Sequence, residues 1–172
     1  MKDRSHPYVQ LARDTIRHYL DRGEPPPLPR ELPDIFQRRA GCFVTLKREG
    51  QLRGCIGTLT PQTETLAEEI ARNALRAAFN DPRFPPLEAG IFHELHVAVE
   101  VVSPPVPVKD LRSLDPRRYG LVVRCENRQG VLLPGIEGVE TVEDQLRICL
   151  EKGRIDPEEA KEFYCFEVES YH

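Results

Sequence analysis

Apolar residues recur every three or four positions in three stretches of the chain and every second position in six others. His6–Arg22 places Val9, Ala12, Ile16 and Tyr19/Leu20 on one helical stripe, with Ser5 as the expected cap and Gly23 at the stop. Thr65–Phe79 opens with the capping-box spacing Thr65-x-x-Glu68, and its face of Ala67, Ile70, Ala71, Ala74 and Ala78 is small enough to lie close against a sheet. Thr141–Lys152 turns Val142, Leu146, Cys149 and Leu150 inward and is expected to stop at Gly153. Strand-like alternation covers Cys42–Lys47, Gln51–Leu59, Leu95–Val102, Leu121–Cys125, Val131–Leu133 and Phe163–Glu169.

The resulting order is helix, hairpin, helix, strand, hairpin, helix, strand. Regular strand–helix–strand alternation is lacking, so the pattern predicts an α+β fold with a mainly antiparallel sheet flanked by helices. Hairpin, helix and strand follow one another twice, over residues 42–102 and 121–169, which raises an internal duplication that no residue repeat supports. Two proline-rich segments interrupt the pattern. Glu24–Asp34 reads as a stiff extended connector. Asp81–Leu87, DPRFPPL, reads as a rigid loop displaying Asp81, Arg83 and Phe84, with Phe84 plugged into the core and Asp81 pairing with Arg83 or a backbone amide.

Composition narrows the function classes. With 172 residues, 40% hydrophobic and 30% charged, the chain has the make-up of one ordinary globular domain. A net charge of -4 opposes a general nucleic-acid surface, and no apolar run approaches the length of a membrane span. Five widely spaced cysteines without a C-x-x-C suit reduced thiols in a cytoplasm. His93-x-x-His96 is a weak metal pair, because residues three apart at a strand entry point to opposite faces, and no phosphate-binding glycine motif occurs. Neither a metal nor a cofactor is expected.

The stretch that invites chemistry is QLRGCIGTL, residues 51–59. Simple alternation puts Arg53, Cys55 and Gly57 on one face, and Leu52, Gly54, Ile56 and Thr58 on the other. A cation near a thiol favours its reactive thiolate form. Gly54 and Gly57 would leave room for a substrate and could expose N–H groups to an oxyanion. Cys55 and Arg53 are therefore the candidate catalytic residues, and no base is identifiable. The alternative reading is an inert cysteine in a tight strand.

GCFVTLKREGQLRGCIGTL, AAFNDPRFPPL, HVAVEVVSPP, and YGLVV with GVLLP together resemble the AMME chromosomal region (AMMECR) family, whose microbial members are also called AmmeMemoRadiSam system protein A. The resemblance covers roughly residues 40–155. It implies a single AMMECR-type domain over 1–172, with a larger lobe from its N- and C-terminal parts, a smaller lobe in the middle, and a cleft between these two subdomains lined by the motif cysteine. Carried over residue by residue, the motif positions are Arg53, Gly54, Cys55, Ile56 and Gly57, then Asp81, Pro82, Arg83 and Phe84, with Gly54, Gly57, Asp81 and Arg83 the candidate binding residues. A Memo-like protein and a radical SAM enzyme are the implied partners, and the small-molecule or peptide substrate is open, as is a homodimer. This chain departs from many relatives after Pro134, where GIEGVETVEDQ replaces a Gly-Trp-containing segment. Two function classes stay open: an enzyme-system component using Cys55 as nucleophile or carrier, and a non-catalytic binding module. Nucleic-acid regulation is a third that the acidic charge opposes.

Overall fold

The protein, a computed structural model describing residues 5–172, is an α+β structure with two four-stranded sheets flanked by helices. It divides into two compact units: residues up to Val102 together with Glu169–His172, and Ser103–Val168.

In the first unit, β1 (Cys42–Arg48) and β2 (Gln51–Gly57) form a hairpin through Glu49-Gly50, both at positive φ (51° and 77°). Positive φ at both central residues is the tight turn whose twist matches paired strands, which glycine adopts without strain. β3 (Leu95–Val102) pairs antiparallel with the other side of β1, and β8 (Val168–Tyr171) follows it, giving the order β2-β1-β3-β8. Helices α1 (Pro7–Arg22) and α3 (Leu66–Phe79) bury one face of this sheet. Val44, Leu46, Val97, Val99 and Val101 meet Val9, Ile16, Ile70 and Ala74 there, nearly all solvent-free. Each fully buried large aliphatic contributes about 1.5–3 kcal/mol. An exposed pair such as Arg17–Asp14, with both side chains more than half exposed, contributes less than about 1 kcal/mol. The core, not the surface charge, holds the frame.

One irregularity sets the orientation of β2. Lys47 pairs with Leu52 but Leu46 pairs with Gly54, so Arg53 is an extra residue, a β-bulge. Beyond it Thr45 stands opposite Cys55 and Val44 opposite Ile56. The simple alternation read from the sequence is thereby broken: Leu52 does not continue the Gly54–Ile56 face, and Arg53 sits outside the ladder.

The second unit repeats the plan. β5 (Gly120–Cys125) and β6 (Arg128–Leu132) form a hairpin, α4 (Val142–Gly153) packs on it, and β7 (Glu162–Phe166) pairs with the far side of β5. A two-residue strand β4 (Val106–Pro107) completes the order β4-β7-β5-β6. Thus β6-β5-β7 reproduces β2-β1-β3. The correspondence extends to individual contacts. A Cβ on Gly54 would stand 2.2 Å from the Ala77 carbonyl oxygen of α3, and a Cβ on Gly130 would stand 1.7 Å from the Cys149 carbonyl oxygen of α4. Four residues before Ala77, the buried Asn73 donates to the Cys42 carbonyl at the start of β1 (3.0 Å). Four residues before Cys149, the buried Gln145 donates to the Tyr119 carbonyl just before β5 (2.8 Å). The duplication shows in topology and contact geometry, although the residues themselves have diverged.

Several local expectations change. His6, not Ser5, caps α1, its Nδ1 accepting from the Tyr8 N–H at 3.3 Å. A short helix α2 (Asp34–Gln37) follows the proline-rich connector and buries Phe36. β2 ends at Gly57 rather than Leu59, and β6 begins at Arg128 because only Glu126-Asn127 turn the second hairpin. The last strand is broken at Glu167: β7 belongs to one sheet and β8 to the other. Gly153 lies inside α4, where a Cβ would meet the Gly130 nitrogen at 2.8 Å, and Arg154, in the left-handed region, is the cap. Gly54→Ala and Gly130→Ala should each destabilise the fold by about 1–3 kcal/mol through forced displacement of a helix. Gly90→Ala, with open space around it, should shift stability by less than about 0.5 kcal/mol. Urea denaturation of the three variants checks this, and equal effects would remove the close-approach explanation.

Candidate functional site

β2 is the outer strand of its sheet, and DPRFPPL covers its edge. Asp81 is almost wholly buried and accepts the Cys55 N–H at Oδ2 (3.0 Å). Arg83 donates to both Asp81 oxygens, through Nε to Oδ1 (3.0 Å) and Nη2 to Oδ2 (2.7 Å), and Nη2 also reaches the Cys55 carbonyl (3.2 Å). One ion pair therefore grips both main-chain polar groups of Cys55. The expected pairing of Asp81 with Arg83 or a backbone amide occurs in both forms at once. The hydrogen bond from Arg83 is the largest influence holding the Asp81 carboxyl well below the usual carboxylate range, against its burial and aided by the Cys55 N–H. Arg83 is raised reciprocally, mainly by that bond, with a smaller contribution from the charge of Cys55.

Arg53 takes a different direction from the one alternation implied. The bulge releases it from the ladder, and its Nη2 donates to the Pro85 carbonyl (2.8 Å). Phe84 is held between two guanidinium groups, 5.7 Å from Arg53 and 5.6 Å from Arg83, rather than plugged into the core cluster. Arg83 interacts electrostatically with Cys55.

The two glycines have packing partners. The space at Gly54 is taken by the Ala77 carbonyl of α3, and that at Gly57 by the Phe43 ring, 2.2 Å from a built Cβ. Neither vacancy is substrate room: one admits a helix, the other an aromatic ring. The Cys55 N–H, bound to Asp81, is not an idle oxyanion donor.

The Cys55 side chain is half-buried on the face away from α1 and α3. Its N–H points off the sheet edge, so Cys55 and Thr45 form the closely spaced kind of antiparallel pair. Thr45 Oγ1 lies 3.3 Å from Cys55 Sγ and donates to Glu100 Oε2 at 3.2 Å. Burial raises the Glu100 carboxyl above its ordinary range, opposed by the Thr45 hydrogen bond and the charge of Lys47. Three polar side chains from three neighbouring strands thus touch in series. Neither Thr45 nor Glu100 was among the residues singled out from the sequence. Thr45 could have been found only with the bulge known, because a straight ladder from Glu49-Gly50 pairs Cys55 with Val44. The histidines lie elsewhere: His93 is exposed in a 3-10 turn (Ala89–Glu94), and the His96 ring stacks on His172 at 5.7 Å.

The AMMECR1 family model matches residues 9–171. The chain belongs to the AMMECR1 family. A Thermotoga maritima relative is 47% identical over 169 residues, which cover 96% of this chain and 97% of that protein. A Clostridium acetobutylicum relative is 43% identical over 163 residues, covering 92% of this chain but 34% of that protein, so the chain spans about a third of its length. An uncharacterised Pyrococcus horikoshii protein, known as a crystal structure, matches with a TM-score of 0.88 at 32% identity, over 95% of this chain and 88% of that one. Among the described residues, no helix is long and apolar enough to cross a membrane.

Asp81→Asn should weaken the AMMECR1 fold at neutral pH by about 1–3 kcal/mol, since it breaks a buried, charge-assisted hydrogen-bond set. A carboxyl depressed in the folded state stabilises above its unfolded value of about 3.9 and loses that contribution as pH falls. The gap between wild type and variant should therefore shrink below about pH 4 in urea denaturation. A gap independent of pH would overturn the ionic account.

Proposed function

We propose that this AMMECR1-family chain is the thiol-bearing component of an enzyme system, with Cys55 as nucleophile or covalent carrier. The observation that carries this reading is the double grip of Asp81 and Arg83 on the Cys55 main chain. A carboxylate and a guanidinium committed to one residue's backbone position a side chain, and the side chain so positioned is a half-exposed thiol. The other four cysteines are buried, and burial pushes Cys42 and Cys149 up to about 12, which keeps them as unreactive thiols. The family resemblance supplies the proposed context, a system shared with a Memo-like protein and a radical SAM enzyme. The acceptor for the thiol is a small-molecule or peptide electrophile.

A second reading, a non-catalytic binding module, is supported by the Clostridium relative, in which a region matching this chain occupies about a third of a longer protein. The two readings separate on the thiol. In native protein treated with iodoacetamide, Cys55 should be alkylated at least about tenfold faster than Cys42 or Cys149, as read by peptide mass spectrometry. Equal rates would remove the nucleophile reading. Complex formation with a purified Memo-like protein that persists unchanged in Cys55→Ser, with no thiol-dependent turnover, would establish the binding module instead.

A further inference from the structure

The chain of contacts Cys55–Thr45–Glu100 has an internal control. Matching the two hairpins on Gly54 and Gly130 equates Leu46 with Val123 and Val97 with Phe163, from the registers Leu46↔Gly54, Leu46↔Val97, Val123↔Gly130 and Val123↔Phe163. Counting along the strands from those anchors, Cys55 corresponds to Val131, Thr45 to Val122 and Glu100 to Phe166. The same strand scaffold in the second unit carries three apolar residues where the first carries a thiol, a hydroxyl and a carboxyl. The frame therefore does not require the polar trio.

The position of Glu100 reinforces this. A carboxyl half-buried on a sheet face costs stability, and Thr45 supplies it with a side-chain hydrogen bond. Thr45 has a single hydroxyl proton. Donating it to Glu100, its oxygen can accept from the Cys55 S–H; with Glu100 protonated, the hydroxyl can turn its proton to a thiolate. The hydroxyl links two states of one shared proton.

Resting on the reading of Cys55 as nucleophile, we propose that Glu100 is the missing base of this site, withdrawing the Cys55 proton through the Thr45 hydroxyl. In the step, the S–H bond breaks and its proton passes to Thr45 Oγ1. The Thr45 proton passes to Glu100 Oε2, and the electron pair stays on sulfur to attack an electrophile. Glu100 acts through Thr45 and is a positioning residue rather than one that touches substrate. Among the described residues, Lys47 on β1 is the cation whose charge reaches Glu100, and the charge of Glu100 in turn reaches the Cys42 thiol at the start of β1; the Cys55 thiol on β2 lies beyond Thr45, and His96 is four residues back on the same strand. On β8, Tyr171 packs in the helix-side core, so by alternation the residues on the Glu100 side are Val168 and Ser170, with His172 beyond them on His96.

A shared proton has a kinetic signature. A lone thiol loses about tenfold in thiolate per pH unit below its pKa of about 8.5. In a coupled pair sharing one proton, the form with the thiolate and the protonated carboxyl keeps a constant share between the two titrations, and it flattens the reactivity profile wherever it outweighs the fully deprotonated form. The experiment is the rate of Cys55 alkylation by iodoacetamide, in which the sulfur displaces iodide, measured from about pH 6 to about pH 8. Wild type should show a plateau in this range. Glu100→Gln and Thr45→Val should instead fall about tenfold per pH unit, and Thr45→Ser should restore the plateau. Thr45→Val also secures the test if Glu100→Gln fails to fold, since the matching position in the second unit is Val122. A wild-type profile already falling tenfold per unit, or a Glu100→Gln variant that reacts faster because a repelling charge is gone, overturns the relay while leaving Cys55 a nucleophile. A Cys55 no more reactive than the buried cysteines overturns both.

Discussion

A single extra residue in β2 decides what the sheet presents. From the Glu49-Gly50 turn, an uninterrupted ladder would set Cys55 against Val44 and aim it at the helices, among Leu46, Val97 and Ile70. The bulge at Arg53 shifts the pairing by one, and because side chains alternate with a period of two, every later residue of the strand changes face. Gly54 then meets the Ala77 carbonyl, allowing α3 to settle on the hairpin, and Cys55 meets Thr45 on the opposite side. Slip the register back and an arginine side chain or a thiol must occupy space that the helix backbone already fills. The close approach of α3 at Gly54 and the outward orientation of Cys55 are two consequences of one geometric event.

As the outer strand of its sheet, β2 has main-chain groups facing outward, which in isolation invites pairing with another chain. DPRFPPL meets that demand. Its prolines prevent it from becoming a strand, and its polar side chains satisfy the edge instead: Asp81 takes the Cys55 N–H, Arg83 the Cys55 carbonyl, and Arg53 closes on the Pro85 carbonyl. The two motifs that stood out in the sequence are thus one structural unit, joined through the backbone of the cysteine. Asp81 and Arg83 act on Cys55 by fixing its position, a role that spacing along the chain could not distinguish from ligand binding.

Elements with a strong period are legible in the sequence: α1, α3, α4 and β3 begin or end within a residue or two of their expected limits. What escaped depends on partners distant in sequence. Gly153 suggests a helix stop because glycine often ends helices, yet it is glycine because Gly130 of β6 passes beside it. Phe163–Glu169 alternates continuously, and only strand pairing reveals that the chain changes sheets at Glu167. The neighbours of Cys55 single it out in the sequence as a candidate, whereas nothing in the sequence singles out Thr45 or Glu100. Each is an ordinary strand residue until the bulge brings the three strands into the right register.

The duplicated plan gives these local facts a comparison that a single hairpin would not offer. Both units require a glycine under the helix carbonyl, a helix amide tied to the start of the first strand, and a third strand on its far side. Those shared features belong to the frame. Where the units differ at matched positions, the frame is indifferent and something else has selected the residue. Val131, Val122 and Phe166 are what the scaffold carries where packing suffices, consistent with the general cost of burying polar groups. Cys55, Thr45 and Glu100 occupy the same three places at a cost to stability, with the carboxyl pushed upward by burial and the thiol held by an ion pair on its backbone. A fold that can fill these positions with apolar side chains, and does so in one unit but not the other, confines this polar trio to the first.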